Sequence, residues 1–305
     1  MPDPLEQLAA FDPLESPPEP GRAGGRRTYL LVDAFTETPL EGNQLAVMTD
    51  ARGLTSEEMQ KLAREFNLSE TVFVLAPQRG GDVRIRIFTP ATELPFAGHP
   101  VLGCAIVLAA ALRRGELTLE TGAGLVPVTV GQPDGRAALA RMQQPIPSWE
   151  PFEREAELLA ALGVERSGLP VEAYRNGPMH VYVELPNERS VAELEPEIAA
   201  LAALGELGVS CFAGSGRRWK TRMFAPGLGV PEDPATGSAA GPLAVHLSRH
   251  GRVAFGEEIQ ISQGEEVGRP SSLLARAEGS AAGIDRVEVA GRGVIVARGE
   301  FLALR

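Results

Sequence analysis

Three short segments of this chain recur in its second half, in the same order and at nearly the same distance. Gly42-Asn43-Gln44-Leu45-Ala46-Val47 has a counterpart in Gly177-Pro178-Met179-His180-Val181-Tyr182. Arg86-Ile87-Phe88-Thr89-Pro90 returns as Arg222-Met223-Phe224-Ala225-Pro226, and Gly98-His99-Pro100 as Gly237-Ser238-Ala239. The offsets are 135, 136 and 139 residues. Each match alone is weak, but three in order point to an internal duplication. That constrains the fold strongly. Two like halves can face each other across a cleft, related by a pseudo-two-fold axis, with equivalent elements of both aimed at one site. Clefts between domains are favoured places for small ligands.

The first half reads as α/β. Tyr29 to Phe35 and Leu45 to Met48 are apolar runs suited to buried strands. Thr55-Ser56-Glu57-Glu58 opens a helix with a capping hydroxyl and a Glu three residues on, and Met59, Leu62, Ala63 and Phe66 give it one apolar face. Strands follow at Thr71–Leu75 and Val83–Phe88, then an Ala-rich buried helix over Pro100–Leu112, then strands near Leu117–Glu120 and Val126–Val130. Residues 1–26 are rich in Pro, Glu and Gly without periodicity and read as a disordered tail, with Arg22, Arg26 and Arg27 at its end. At 305 residues the chain accommodates two domains.

Composition narrows the function. No apolar run approaches the roughly 20 residues that span a bilayer, and the first twenty residues lack the apolar core of a secretory signal, which predicts a cytoplasmic protein. A net charge of -11 argues against a nucleic-acid partner. Two cysteines, Cys104 and Cys211, make neither a disulfide framework nor a CxxC zinc pair. No GxGxxG or GxxxxGK[ST] loop supports a nucleotide cofactor. His246 and His250 lie four apart on a predicted helix, but Leu247 stands where a metalloprotease has Glu, and no third ligand is evident. His250-Gly251 also reads as a helix end. Arg217-Arg218-Trp219-Lys220 suits either an anion site or a solvated edge.

The repeats themselves carry the chemistry. Each has a loop leading into a small-residue helix start, Gly98-His99-Pro100 and Gly237-Ser238-Ala239. Helix N-termini present unpaired N–H groups, so two of them at one cleft could hold a carboxylate without Arg or Lys. The same glycines also suit tight helix–sheet packing. Glu70 opens an apolar strand, His99 follows a glycine in a helix-start loop, and Asp233 precedes Pro234. Each has a plain alternative: an exposed edge for Glu70, a satisfied core histidine for His99, an N-cap for Asp233.

Joined in order, Asn67-Leu68-Ser69-Glu70, Arg86 to Pro90 with Glu93 to Pro100, and Glu232-Asp233-Pro234-Ala235-Thr236-Gly237-Ser238-Ala239-Ala240-Gly241 resemble the PhzF family of phenazine biosynthesis. Asn176-Gly177-Pro178, Cys211 to Gly214, Gln263-Gly264 and Gly268 to Ser271 extend the resemblance from about Tyr29 to the C-terminus. It implies a diaminopimelate-epimerase-like fold: two pseudo-symmetric domains, each a mostly antiparallel sheet wrapped around a central helix. The expected division is residues 27–142 with 289–305, and residues 143–288. It also implies a homodimer, a small carboxylic-acid substrate, and no metal or organic cofactor. Glu70 is then the proton carrier, lined up with His99 and Asp233, while Gly98, Gly237 and Ser238 bind substrate. The implied reaction is the isomerisation of trans-2,3-dihydro-3-hydroxyanthranilate to an amino-ketone. The alternatives are an isomerase or epimerase of this fold for another small amino or hydroxy acid, and a non-catalytic binding protein for a small acid.

Overall fold

A computed structural model describes residues 27–280 and 282–301. The expected tail over residues 1–26 lies outside them.

The first half runs β1 (Arg27–Ala34), β2 (Asn43–Met48), α1 (Ser56–Phe66), β3 (Glu70–Leu75), β4 (Val83–Phe88), β5 (Glu93–Leu94), α2 (Gly98–Leu112), β6 (Glu116–Thr121), β7 (Gly124–Val130) and β8 (Ala137–Gln144). The second runs β9 (Ser148–Pro151), α3 (Glu155–Leu162), β10 (Glu172–Arg175), β11 (Met179–Glu184), α4 (Glu188–Ala192), α5 (Ile198–Ala202), β12 (Gly208–Ser215), β13 (Arg218–Ala225), β14 (Val230–Asp233), α6 (Gly237–Arg249), β15 (Ile259–Gln263) and β16 (Ser271–Ser280). A long last strand, β17 (Gly283–Phe301), belongs to both.

The expected α+β architecture is present. Strands β1, β2, β3, β4, β6, β7 and β8 pair in a ring that β17 closes against β1 and β8. Around α6, strands β10 to β13, β15 and β16 curl from β9 to β17. Pairing is antiparallel except at matched places. The parallel pairs β2–β3 and β4–β6 of the first half recur as β11–β12 and β13–β15 of the second.

Sequence explains the two central helices. α2 is buried continuously from Gly98 to Leu108, as a helix apolar on every side apart from His99 must be. α6 is buried from Gly237 to Ser248 although Pro242 sits inside it. A proline there removes the N–H that would reach the Ser238 carbonyl. Asn176 Nδ2 takes that carbonyl instead, at 3.0 Å, while Gln144 and Tyr182 bond the Gly237 and Ala239 carbonyls at 2.8 and 2.7 Å. α1 is amphipathic and carries the expected capping box at Thr55 and Glu58. One core cluster joins apolar residues of both halves, from Leu30 and Val101 to Tyr182, Leu243 and Val289.

Candidate active site

The two central helices meet at their N-terminal ends. A Cβ on Gly98 would overlap the backbone of Gly237 and Ser238, and a Cβ on Gly237 would stand 3.0 Å from Gly98 C and His99 N. Only glycines permit so close an approach. Neither helix has a side-chain N-cap, so the N–H groups of both first turns and both positive dipole ends converge on one place.

A cavity at this junction is lined by Glu70, Gly98, His99, Asp233, Gly237 and Ser238 together. All six residues singled out in the sequence therefore share one site. Glu70, at the start of β3, points inward: its Oε2 lies 3.3 Å from His99 Nε2, with side-chain exposures of 14% and 3%. Neither atom has an aligned hydrogen-bond partner among the described residues. The exposed-edge reading of Glu70 and the satisfied reading of His99 both fail on this geometry.

Asp233 is not an N-cap. Its oxygens accept from Asn43 Nδ2 at 2.8 Å, Ser69 Oγ at 3.2 Å and Thr236 Oγ1 at 2.6 Å. The position before α6 is Thr236, and its side chain caps nothing. Asn43 links the halves. Its amide nitrogen donates to Asp233 and to the Ala235 carbonyl at 2.8 Å each, and stands 3.2 Å from His99 Nδ1.

Burial sets the protonation states. It pushes the Glu70 carboxyl well above its ordinary 4.5, and the negative charge of Asp233 adds to the rise. Asp233 itself is raised by burial to about 6, against the pull of its hydroxyl and amide donors. His99 is pushed down to about 3, chiefly by burial. The proton shared between Glu70 and His99 therefore sits on the carboxyl. With its proton the pair is a carboxyl against a neutral imidazole, and without it a carboxylate, a group able to take a proton from carbon and give it back.

The opposite wall comes from the second half. Ser238 Oγ lies 3.0 Å from His180 Nε2, and His180 lines the cavity with Gly208 and Met223. Asn43, Ser69, Thr236 and His180 escaped the sequence reading as site residues. Asn43 and His180 stood in the repeated segments and Ser69 beside Glu70, but only the fold turns His180 into the cavity and brings Asn43 and Ser69 onto Asp233.

The remaining motifs resolve elsewhere. His246 and His250 do have a third neighbour, Glu172, whose Oε2 lies 3.2 and 3.0 Å from them; these three form a potential metal-binding group among the described residues. Arg249 and Tyr174 hold the same carboxylate at 2.6 and 2.9 Å. Burial would raise the Glu172 pKa, but these hydrogen bonds outweigh it and hold the carboxyl below its usual range. The guanidinium thus fills the role a cation would take. Lys220 offers no anion site, being buried and paired with Glu265 and Glu266 at 2.5 and 2.8 Å. Cys104 and Cys211 are buried, and desolvation pushes both thiols up, Cys211 to about 12. They are packing residues.

Comparison with known proteins follows the same line. A family described as phenazine biosynthesis-like protein matches residues 32–299. The trans-2,3-dihydro-3-hydroxyanthranilate isomerase of Pseudomonas aeruginosa is 54% identical over 271 residues, covering 89% of this chain and 98% of its own. Among solved structures, a PhzF-family phenazine biosynthesis protein from Bacillus anthracis superposes with a TM-score of 0.79 at 26% identity, covering 91% of this chain and 99% of its own. A protein from Pseudomonas aeruginosa described as a predicted epimerase superposes at 0.78 with 32% identity, covering 90% and 99%. Among the described residues, no helix is long and apolar enough to cross a membrane.

Proposed function

This chain belongs to the phenazine biosynthesis-like PhzF family and is an isomerase, and we propose that its substrate is trans-2,3-dihydro-3-hydroxyanthranilate. The substrate carboxylate would lie on the converging N-termini of α2 and α6, against Gly98, Gly237 and the Ser238 hydroxyl. That fixes the ring with C3 and C1 within reach of one acid–base group. Glu70, as carboxylate, takes the proton from C3. The two ring double bonds each shift by one position, and Glu70 returns the proton at C1. The enol left at C3 then ketonises to the amino-ketone, so no atom is gained or lost overall. His99 accepts from the Glu70 carboxyl in its protonated phase, and Asp233 sits where it tunes that carboxyl and meets the substrate hydroxyl.

The observation that carries this reading is the inward-facing Glu70, held 3.3 Å from His99 with no other partner for its Oε2 among the described residues. An opposed pair of thiol bases, as in two-base epimerisation, has no basis in this cavity, which Cys104 and Cys211 do not line.

The test is Glu70→Gln. Turnover should fall by about 10²–10⁴-fold or more, with binding of the non-reacting aromatic analogue 3-hydroxyanthranilate little changed. A fully active Glu70→Gln enzyme removes Glu70 from the mechanism. Incubating wild type with the dihydro acid in deuterated water, followed by NMR, tests the substrate; no reaction there redirects the assignment to another small amino or hydroxy acid. We further read the chain as a cytoplasmic homodimer, which sedimentation of the full chain tests for its assembly. Its domains divide as residues 27–142 with 289–305, and residues 143–288.

A further inference from the structure

The internal symmetry pairs Glu70 with a glycine. In the first half, Leu45 of β2 lies beside Glu70 of β3 in a parallel pair. In the matching pair of the second half, His180 of β11 lies beside Gly208 of β12. Where one half carries a carboxylate, the other carries no side chain, and the imidazole of the neighbouring strand fills the room. A Cβ on Gly208 would stand 2.7 Å from His180 Nδ1 and 3.1 Å from Met223 Sδ. His180 is 2% exposed, and its Nδ1 has no hydrogen-bond partner among the described residues. A buried polar atom left unpaired is costly unless a ligand completes it.

We propose that His180 is a substrate-positioning residue that reads two neighbouring groups with its two nitrogens: Nε2 turns the Ser238 hydroxyl onto the ligand carboxylate, and Nδ1 accepts from an amine on the adjacent carbon. The ligand's β-amino acid pattern rests on the function proposed above. The tautomer follows from charge. Burial pushes His180 down to about 4, so the ring is neutral and has one N–H. An anion at the start of α6 requires Ser238 to donate to it, so Ser238 Oγ must accept from Nε2–H, 3.0 Å away. Nδ1 is then a bare lone pair, and the ligand group it suits is a donor.

The test uses ligands that do not react, 3-hydroxyanthranilate and its amine-free counterpart 3-hydroxybenzoate, with affinities measured by calorimetry. The terminal amide of Gln can stand where Nε2 stands, and that of Asn where Nδ1 stands. Wild type should prefer the aminated ligand. His180→Gln should keep its affinity for 3-hydroxybenzoate and lose about tenfold for 3-hydroxyanthranilate, removing the preference. His180→Asn should weaken both by releasing Ser238. Gly208→Ala, whose methyl group would stand 2.7 Å from Nδ1, should likewise remove the preference. For the dihydro acid, KM should rise in His180→Gln more than kcat falls. A preference that survives in His180→Gln and Gly208→Ala, or that wild type lacks, overturns the proposal. Intact discrimination together with an enzyme inert toward the dihydro acid instead overturns the substrate assignment and leaves the role of His180 standing.

Discussion

At the scale of single residues, the cavity is governed by burial rather than by charge pairing. Glu70 and Asp233 both titrate above their ordinary values, and each proton added to one relieves the other. The linkage has a definite sign. The unfolded Asp233 loses its proton near 3.8 and the folded one near 6, so its contribution to stability is full below the first value and declines as pH rises through the second. Glu70, raised in the same sense, carries that decline higher. Replacing Asp233 with Asn removes the negative neighbour of Glu70. The acid limb of the kcat/KM profile should then move to lower pH on the residual activity, and the loss of stability between roughly pH 4 and 6 should shrink. An acid limb that stays put or moves upward would show that Asp233 does not act on Glu70. Glu70, His99 and Asp233 were legible in the sequence because each sits in a distinctive motif. Asn43 and His180 were not, since a strand residue's neighbours across a duplicated fold follow from pairing partners more than a hundred residues away.

At the scale of elements, the site depends on two helix ends touching backbone to backbone. Gly98→Ala places a methyl group against the Gly237–Ser238 peptide, which has no flexible end to yield. The variant should lose about 1–3 kcal/mol of stability and nearly all turnover. Thermal unfolding and a rate assay check both, and wild-type values for either would mean the helix ends are not fixed at this distance. Local signals served these elements well. The Thr55 capping box and the uninterrupted apolar run of α2 fixed one helix start and one buried helix from the chain alone. The expected start of α2 at Pro100 is two residues late, because Gly98 and His99 are poor markers of a helix whose N-cap, Ala97, makes no side-chain bond. α3, α4 and α5 are short, and the duplication alone did not disclose them, since they differ from α1 in number and length.

At the scale of the molecule, the halves are tied by a few specific links. The Arg269 guanidinium, from the second half, bonds the carbonyls of Leu40, Glu41 and Gly42 and pairs with Asp33 at 2.7 Å, where Asp33 is 3% exposed. Arg269→Met leaves that carboxylate, among the described residues, with the Leu40 N–H. The expected cost is about 2–3 kcal/mol, the low side of breaking a buried pair because Arg269 is partly exposed. Equilibrium denaturation measures it, and an unchanged midpoint would make the link ornamental. The repeat announced two facing halves, and the family resemblance implied that residues 289–305 return to the first, but no sequence pattern announced that one unbroken strand, Gly283–Phe301, would serve both. β17 pairs in turn with β16, β8 and β1, and its far end, to Phe301, lies against Arg27 at the opposite end of the described chain. During vectorial synthesis, β1 emerges from the ribosome first and its partner nearly last. Until then the staves around α2 stand open on one side, with a bare strand edge facing solvent. Completion of the first half is thus a late, non-local event of the kind that slows folding and invites chaperones.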